Sequence, residues 1–286
     1  FAYSPLVCAL AAAMGVATSP AIVLLVSHEL RTEGQLTARL MSLTAVNTAV
    51  AAVLLVVLLP WLHMEHSTSV TGTLLHPLYV LFGSCVLGFG IHRGVVELAR
   101  WLGKREDRQY ILLIGAIVLA VGLARALHLS VVLALLAMGV LARNQDARRA
   151  LLALQFGYGG QLFLVVLFVF AGASLDFSGW REASAAIIAF LLLRFAAKAL
   201  AINTFGSASG LRRSSALWLS LALLPMSEIA WLMMQDTVMI YPDFGPELTS
   251  LLLGALALSE LVAPIVTGLA LRRADEAHPE GEMNRA

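Results

Sequence analysis

Long apolar segments separated by short polar connections recur along the whole sequence. Nine can be delimited, at residues 5–27, 40–62, 75–98, 110–126, 128–142, 155–175, 183–204, 214–236 and 247–271. About 20 apolar residues in a helix span the hydrocarbon core of a bilayer. The pattern therefore predicts an all-α polytopic membrane protein with about nine transmembrane helices over residues 1–271. A charged tail follows at residues 272–286, and we expect it to fray.

Two of the nine segments are interrupted by polar residues and proline. The first reads GVATSPAIVLLVSHEL, with its break at residues 18–20, and the second reads ALLPMSEIAWLMMQD, with its break at residues 225–228. Proline removes a backbone hydrogen bond, and a membrane helix tolerates that loss where the freed backbone is buried in protein or lines a cavity. A pair of such breaks in corresponding positions indicates the binding site of a secondary transporter.

Composition and loop charge support the membrane interpretation. The 286 residues are 59% hydrophobic and 13% charged, whereas a typical soluble domain has about 25% charged residues. One set of alternate loops holds 14 of the 19 Lys and Arg residues, and the other set holds only Arg181. By the positive-inside rule, the basic loops and the C-terminal tail are predicted to be cytoplasmic.

Four of the ionisable side chains within the predicted spans are candidates for function. Glu228 lies in the second break, Arg194 and Lys198 share one face of the seventh span, and Glu260 lies in the ninth. An ionisable group at the bilayer centre costs at least ~2.5–3.5 kcal/mol on insertion scales, so it is retained for a function or as a structural pair. Lys198 is the deeper cation, and Arg194 is also consistent with a structural role.

Neutral polar residues near the breaks could complete a cation site. Thr18, Ser19 and Ser227 lie in the breaks, and Asn47 and Thr48 lie in the span that follows the first break, as Glu260 does after the second. Their oxygen atoms suit a hard monovalent cation. Asn and Thr also join membrane helices through hydrogen bonds, so both interpretations stay open.

Other classes of function have little support in the sequence. Cys8 and Cys85 have no metal-ligand spacing, and no Ser–His–Asp or comparable nucleophile set is present, so we expect neither an enzyme nor a cofactor. No nucleic-acid partner is expected. The expected partners are the lipid bilayer, a monovalent cation and protons.

Several segments resemble the bacterial cation/proton antiporter superfamily, which includes sodium/proton exchangers and potassium-efflux proteins. SPAIVLLVSHEL looks like its first broken helix, and SEIAWLM resembles the stretch of the second, with Ser227 in place of Gly. LHLSVVLALLAMGVLARN, LFVFAGASLD and SELVAPI resemble segments in the same order, and Lys198 matches a buried basic position.

The resemblance implies an antiporter-like inverted-repeat fold with two crossed broken helices, a homodimer in the bacterial inner membrane, and exchange of Na⁺ or K⁺ for protons by alternating access. Because the chain starts at Phe1 inside a span, about three N-terminal helices of the family pattern are expected to be absent.

One departure from the family pattern concerns the charge of the site. The helix after the first break usually carries an Asp that binds the cation and the proton, and here the matching pair is Asn47–Thr48. We hypothesise that Glu228 replaces that carboxylate and pairs with Lys198. The cation ligands would be Glu228, the hydroxyls of Thr18, Ser19 and Thr48, the Asn47 amide oxygen and free backbone carbonyls.

Two alternatives follow from the same residues. The missing Asp favours a non-transporting sensor or a subunit of a larger complex that keeps the antiporter fold. An organic-anion symporter also has crossed broken helices, but it would need a roomier cavity, and the likeness of the segments points away from it.

Overall fold

A computed structural model describes residues 3–64, 70–103, 106–145, 169, 180–240 and 245–277. Within these residues the secondary structure is helical, apart from one isolated bridge between two residues. The ten named helices are α1 (Pro5–Gly15), α2 (Pro20–Glu29), α3 (Gln35–Met64), α4 (Val70–Leu102), α5 (Glu106–Ala126), α6 (Val131–Gln145), α7 (Trp180–Gly206), α8 (Arg213–Ala222), α9 (Ile229–Ile240) and α10 (Gly245–Arg273).

The helices confirm the all-α polytopic membrane architecture. In the described part of the chain, α3, α4, α5, α7 and α10 each contain a stretch that is long and apolar enough to cross a membrane, and α6 is a shorter apolar helix. The two interrupted segments are helix pairs, α1 with α2 and α8 with α9. The segment predicted at 155–175 lies, except for Val169, outside the described residues.

The helix pairs are interrupted where the sequence supplies a new helix start. In the first pair, Ser19 has an extended backbone and its hydroxyl accepts a hydrogen bond from the Ile22 N–H at 3.3 Å, so it caps α2. Pro20 follows as the first helical residue, where its missing N–H costs nothing. In the second pair, the Ser227 hydroxyl accepts from the Ile229 N–H at 3.3 Å.

The two breaks contact each other directly. Thr18 and Met226 form an antiparallel bridge, and the Ser19 N–H donates to the Pro225 carbonyl at 3.3 Å. Some of the backbone groups that have no helical hydrogen-bond partner at one break therefore bond to the other break. This contact agrees with the predicted crossing of the two broken helices.

Arg194 on α7 satisfies backbone carbonyls of both breaks. Its guanidinium donates to the carbonyls of Gly15 and Ala17 in the first and of Leu224 and Pro225 in the second. The side chain is only 8% exposed. Arg carries five N–H donors in a fixed fork, and a cation is favoured at helix C-termini such as those of α1 and α8. The structural role that the sequence left open for Arg194 is therefore confirmed.

The chain forms two compact units, residues 1–51 with 164–286 and residues 52–163. In the first unit, Ile22, Leu40, Leu223 and Leu271 belong to one buried apolar cluster around the breaks. In the second, α4 packs against α5 and α6. A Cβ atom at Gly88 would lie 2.5 Å from the Ala134 carbonyl oxygen, so this contact requires glycine.

The beginning of the C-terminal tail is bonded to the body of the first unit. The Glu276 carboxylate accepts hydrogen bonds from the backbone N–H groups of Leu36 and Thr37, at 2.7 and 2.8 Å. These are orphan donors of the first turn of α3, and a carboxylate there is favoured by the helix dipole. We expected the tail to fray from residue 272. That expectation is wrong for the residues up to Glu276, because Glu276 is bonded to α3.

Replacing Arg194 with Met is expected to destabilise the protein strongly, because the carbonyls of Gly15, Ala17 and Leu224 would lose the guanidinium donor and Pro225 would keep only the Ser19 N–H. Each buried polar group left without a partner costs about 1–3 kcal/mol. Unfolding by SDS titration from mild-detergent micelles measures the change. Arg212→Met is the matched control, because Arg212 is exposed and makes no side-chain cap bond. Equal stability of the two variants would contradict the role given to Arg194.

Candidate functional site

Thr18 is the centre of a polar cluster on one side of the crossing. Its side chain is fully buried, and its hydroxyl oxygen accepts from Lys198 Nζ at 2.7 Å and from Asn47 Nδ2 at 3.0 Å. Both lone pairs of that oxygen are then used. Asn47 therefore faces Thr18 with its amide nitrogen, whereas the sequence predicted that its amide oxygen would face an ion.

Thr48 joins α3 to the first break through the backbone. Its buried hydroxyl lies 3.3 Å from the Thr18 carbonyl oxygen and 3.0 Å from that of Thr44. Hydroxyl groups commonly bridge membrane helices in this way. In this arrangement Asn47 and Thr48 both hold the break in place.

Lys198 faces the C-terminal end of α8. Besides Thr18, its ammonium group contacts the Leu223 carbonyl at 3.3 Å. No carboxylate of the described residues pairs with it, so the predicted ion pair with Glu228 is not present. The physical reason is position: Lys198 binds at the end of α8, and Glu228 lies beyond the break, at the start of α9.

Glu228 contacts the first break through Ser19. Both of its carboxylate oxygens lie 3.2 Å from the Ser19 hydroxyl, which donates to them. The same Ser19 oxygen caps α2, so the carboxylate lies close to the N-termini of α2 and α9, where negative charge is favoured. A carboxylate offers about four acceptor positions, and one hydroxyl proton leaves most of them available to a cation or a proton.

Two residues of α10 extend the acidic side of the crossing. The Ser259 hydroxyl accepts from the Met226 N–H at 2.9 Å, and so satisfies a donor of the second break. Glu260 interacts electrostatically with Glu228. Its buried Oε1 atom has no hydrogen-bond partner among the described residues. Ser259 was not predicted, although its place beside Glu260 in the LSEL stretch was a usable signal.

The predicted site residues thus form two groups that meet at neighbouring residues of the first break. The polar group surrounds Thr18, and the acidic group surrounds Ser19. The backbone carbonyls that were predicted as cation ligands are mostly bonded already, to Arg194, Lys198 and Thr48. Ser227 is buried, and its hydroxyl accepts a hydrogen bond from the first N–H of α9.

The acidic group is not a typical transition-metal centre. Among the described residues, no group of three or more His, Cys, Asp or Glu side chains could hold a metal ion. Two carboxylates, Glu228 and Glu260, with the Ser19 hydroxyl provide only oxygen atoms. Hard cations prefer such ligands.

The family described as sodium/hydrogen exchanger, transmembrane, matches residues 1–273 of this chain. The match includes both breaks and every residue of the polar and acidic groups. No curated protein matches the sequence significantly.

Replacing Thr18 with Val is expected to lower the free energy of unfolding, because the partly buried donors of Asn47 and Lys198 would lose their shared acceptor. Each unsatisfied buried polar group costs about 1–3 kcal/mol. Thr18→Ser keeps the hydroxyl and is expected to cost only about 1 kcal/mol, for one buried methyl group. SDS titration of both variants compares them, and equal losses would show that the hydroxyl does not organise the cluster.

Proposed function

The chain belongs to the sodium/hydrogen exchanger family, and we propose that it exchanges Na⁺ or K⁺ for protons by alternating access. Exchange of a cation for protons is the kind of transport that this family performs. Its members are transporters, not enzymes, and the multi-pass helical architecture agrees with that activity.

The observation that carries the proposal is the contact between Glu228 and Ser19. It places a carboxylate at the point where the two broken helices meet, with two oxygens directed at one hydroxyl. A single carboxylate binds either a cation or a proton, because both compete for the same negative charge. Competition of this kind makes the release of one ligand a condition for the binding of the other.

The position of Lys198 favours the acidic side of the crossing as the cation site. Lys198 already donates to Thr18, where the family pattern would place the cation near an Asp. A cation at Thr18 would meet the lysine charge and a hydroxyl whose lone pairs are used. On the Ser19 side, Glu228 and Glu260 supply negative charge without a basic partner among the described residues.

Glu260 supports the same assignment. Two carboxylates within electrostatic reach repel each other when both are ionised. A cation or a proton bound between them removes that repulsion, so the pair gains most from binding one or the other. We therefore assign Glu228 as the carboxylate that binds the ion and Glu260 as the one that strengthens its negative field.

The surroundings of the exchanger are part of the proposal. The lipid bilayer is its solvent, and the charge asymmetry of the loops supports a cytoplasmic C-terminus. The bacterial inner membrane is proposed from the family resemblance. A homodimer is proposed from the family resemblance alone.

Glu228→Gln is expected to reduce cation-dependent proton flux by at least tenfold, because the amide cannot exchange a proton for a cation. Everted vesicles with a pH-sensitive dye measure the flux upon addition of sodium, potassium or lithium. Glu97→Gln is the matched control, because Glu97 is an exposed residue of α4 that pairs with Arg100. It is expected to transport like the wild type.

Full transport by Glu228→Gln would show that the exchanged charge lies elsewhere. Absence of flux in the wild type with all three cations would contradict exchange itself, and would leave a membrane protein that keeps the fold without transport.

A further inference from the structure

A cavity of about 590 Å³ lies beside the polar group around Thr18. It is bounded by α3, α7, the turn after α7, and α8. Small-molecule sites in proteins have volumes of about 300–1,000 Å³. Its lining residues all belong to one compact unit and include Arg39, Leu43, Lys198, Ala201, Ile202 and Leu219.

The charged groups among the described residues that line this cavity are positive. Lys198 and Arg39 line it, and no Asp or Glu is among the lining residues. The two cations are carried by different helices, α7 and α3, and lie at different depths of the cavity. Lys198 is beside Asn47 next to the crossing, and Arg39 is at the beginning of α3.

Within the described part of the chain, both cations keep N–H donors that have no hydrogen-bond partner. Lys198 has three N–H groups, and two of them are directed to Thr18 and Leu223. Arg39 has five, and it donates to the hydroxyl and the carbonyl of Ser209, at 3.0 and 2.9 Å. Each group can therefore bind an anion without breaking the contacts that position it.

Between the two cations the walls are apolar. Leu43 from α3, Ile202 from α7 and Leu219 from α8 face the same space. A hydrated inorganic cation would meet positive charge and hydrocarbon there, and both are unfavourable to it. A molecule with one anionic group and an apolar body satisfies the lysine and buries its body against the leucine and isoleucine side chains.

We propose that this cavity binds an amphiphilic monocarboxylate, a single-chain fatty acid in its anionic form. The carboxylate binds the Lys198 ammonium and the apolar chain occupies the space lined by Leu43, Ile202 and Leu219. Lys198 lies near the position where this chain has Thr48 in place of the family's Asp, so the ligand supplies the negative charge that the protein lacks there.

The consequence for the exchanger is a link between fatty acid and transport that is distinct from the acidic site. The bound carboxylate neutralises Lys198 and changes the charge next to the crossing, while the Ser19–Glu228 contact stays outside the cavity lining. Binding of the fatty acid is measured at equilibrium, without an ion gradient. Its result therefore does not depend on whether the protein exchanges cations for protons.

The first test needs no mutation. The purified protein in a neutral maltoside detergent is titrated with radiolabelled dodecanoate in a scintillation proximity assay. Unlabelled dodecanoate, dodecanol and dodecylamine then compete for the site. Dodecanoate is expected to displace the label at least tenfold more effectively than dodecanol or dodecylamine, because a charged hydrogen-bonded pair is roughly twice as strong as a neutral one. Equal displacement by all three compounds would overturn the proposal.

Variants locate the site. Lys198→Gln is expected to weaken dodecanoate binding at least tenfold. Ala201→Trp, which fills the cavity from α7, is expected to abolish it. Ala196→Trp is the control, because Ala196 is an exposed residue of the same helix that does not line the cavity. Unchanged binding in Ala201→Trp, or equal loss in the control, would overturn the assignment, as would preferential displacement by a short-chain anionic phospholipid.

Discussion

The structure depends on how the carbonyl groups of two broken helices are satisfied inside a membrane. An unsatisfied backbone group costs several kcal/mol in hydrocarbon. Here one buried guanidinium donates to carbonyls of both breaks, and the breaks also bond to each other at Ser19 and Pro225. Without Arg194, a pair of interrupted helices in this environment would leave unpaired carbonyls at the point where the site must form.

In the same arrangement, positively charged side chains lie at helix C-termini and a negatively charged one lies at helix N-termini. The C-terminal ends of α1 and α8 face the cations Arg194 and Lys198, while the starts of α2 and α9 lie by the Glu228 carboxylate. Each charge therefore lies at the helix end that stabilises it. This order separates a cationic, partly apolar side at Thr18 from an acidic side at Ser19. The proposed cation site and the proposed fatty-acid cavity follow from that separation.

The fold was largely predictable, because apolar segments of membrane length and paired prolines leave a strong pattern in the sequence. The residues around the breaks were predictable by type, but not their pairing. Glu228 and Lys198 are both ionisable residues near the second break, and only the helix ends decide that one meets Ser19 and the other Thr18. The Glu276 contact with α3 joins residues about 240 positions apart, and no local sequence pattern predicts it.

In the proposed exchange one carboxylate, Glu228, binds a cation and a proton in competition. Calorimetric titration of the purified protein with Na⁺ or K⁺ in two buffers of different ionisation enthalpy tests it most directly. We expect saturable binding whose measured enthalpy depends on the buffer, because the cation displaces a proton. We also expect Glu228→Gln to lose that signal. Binding without proton release, or proton release that persists in Glu228→Gln, would contradict it.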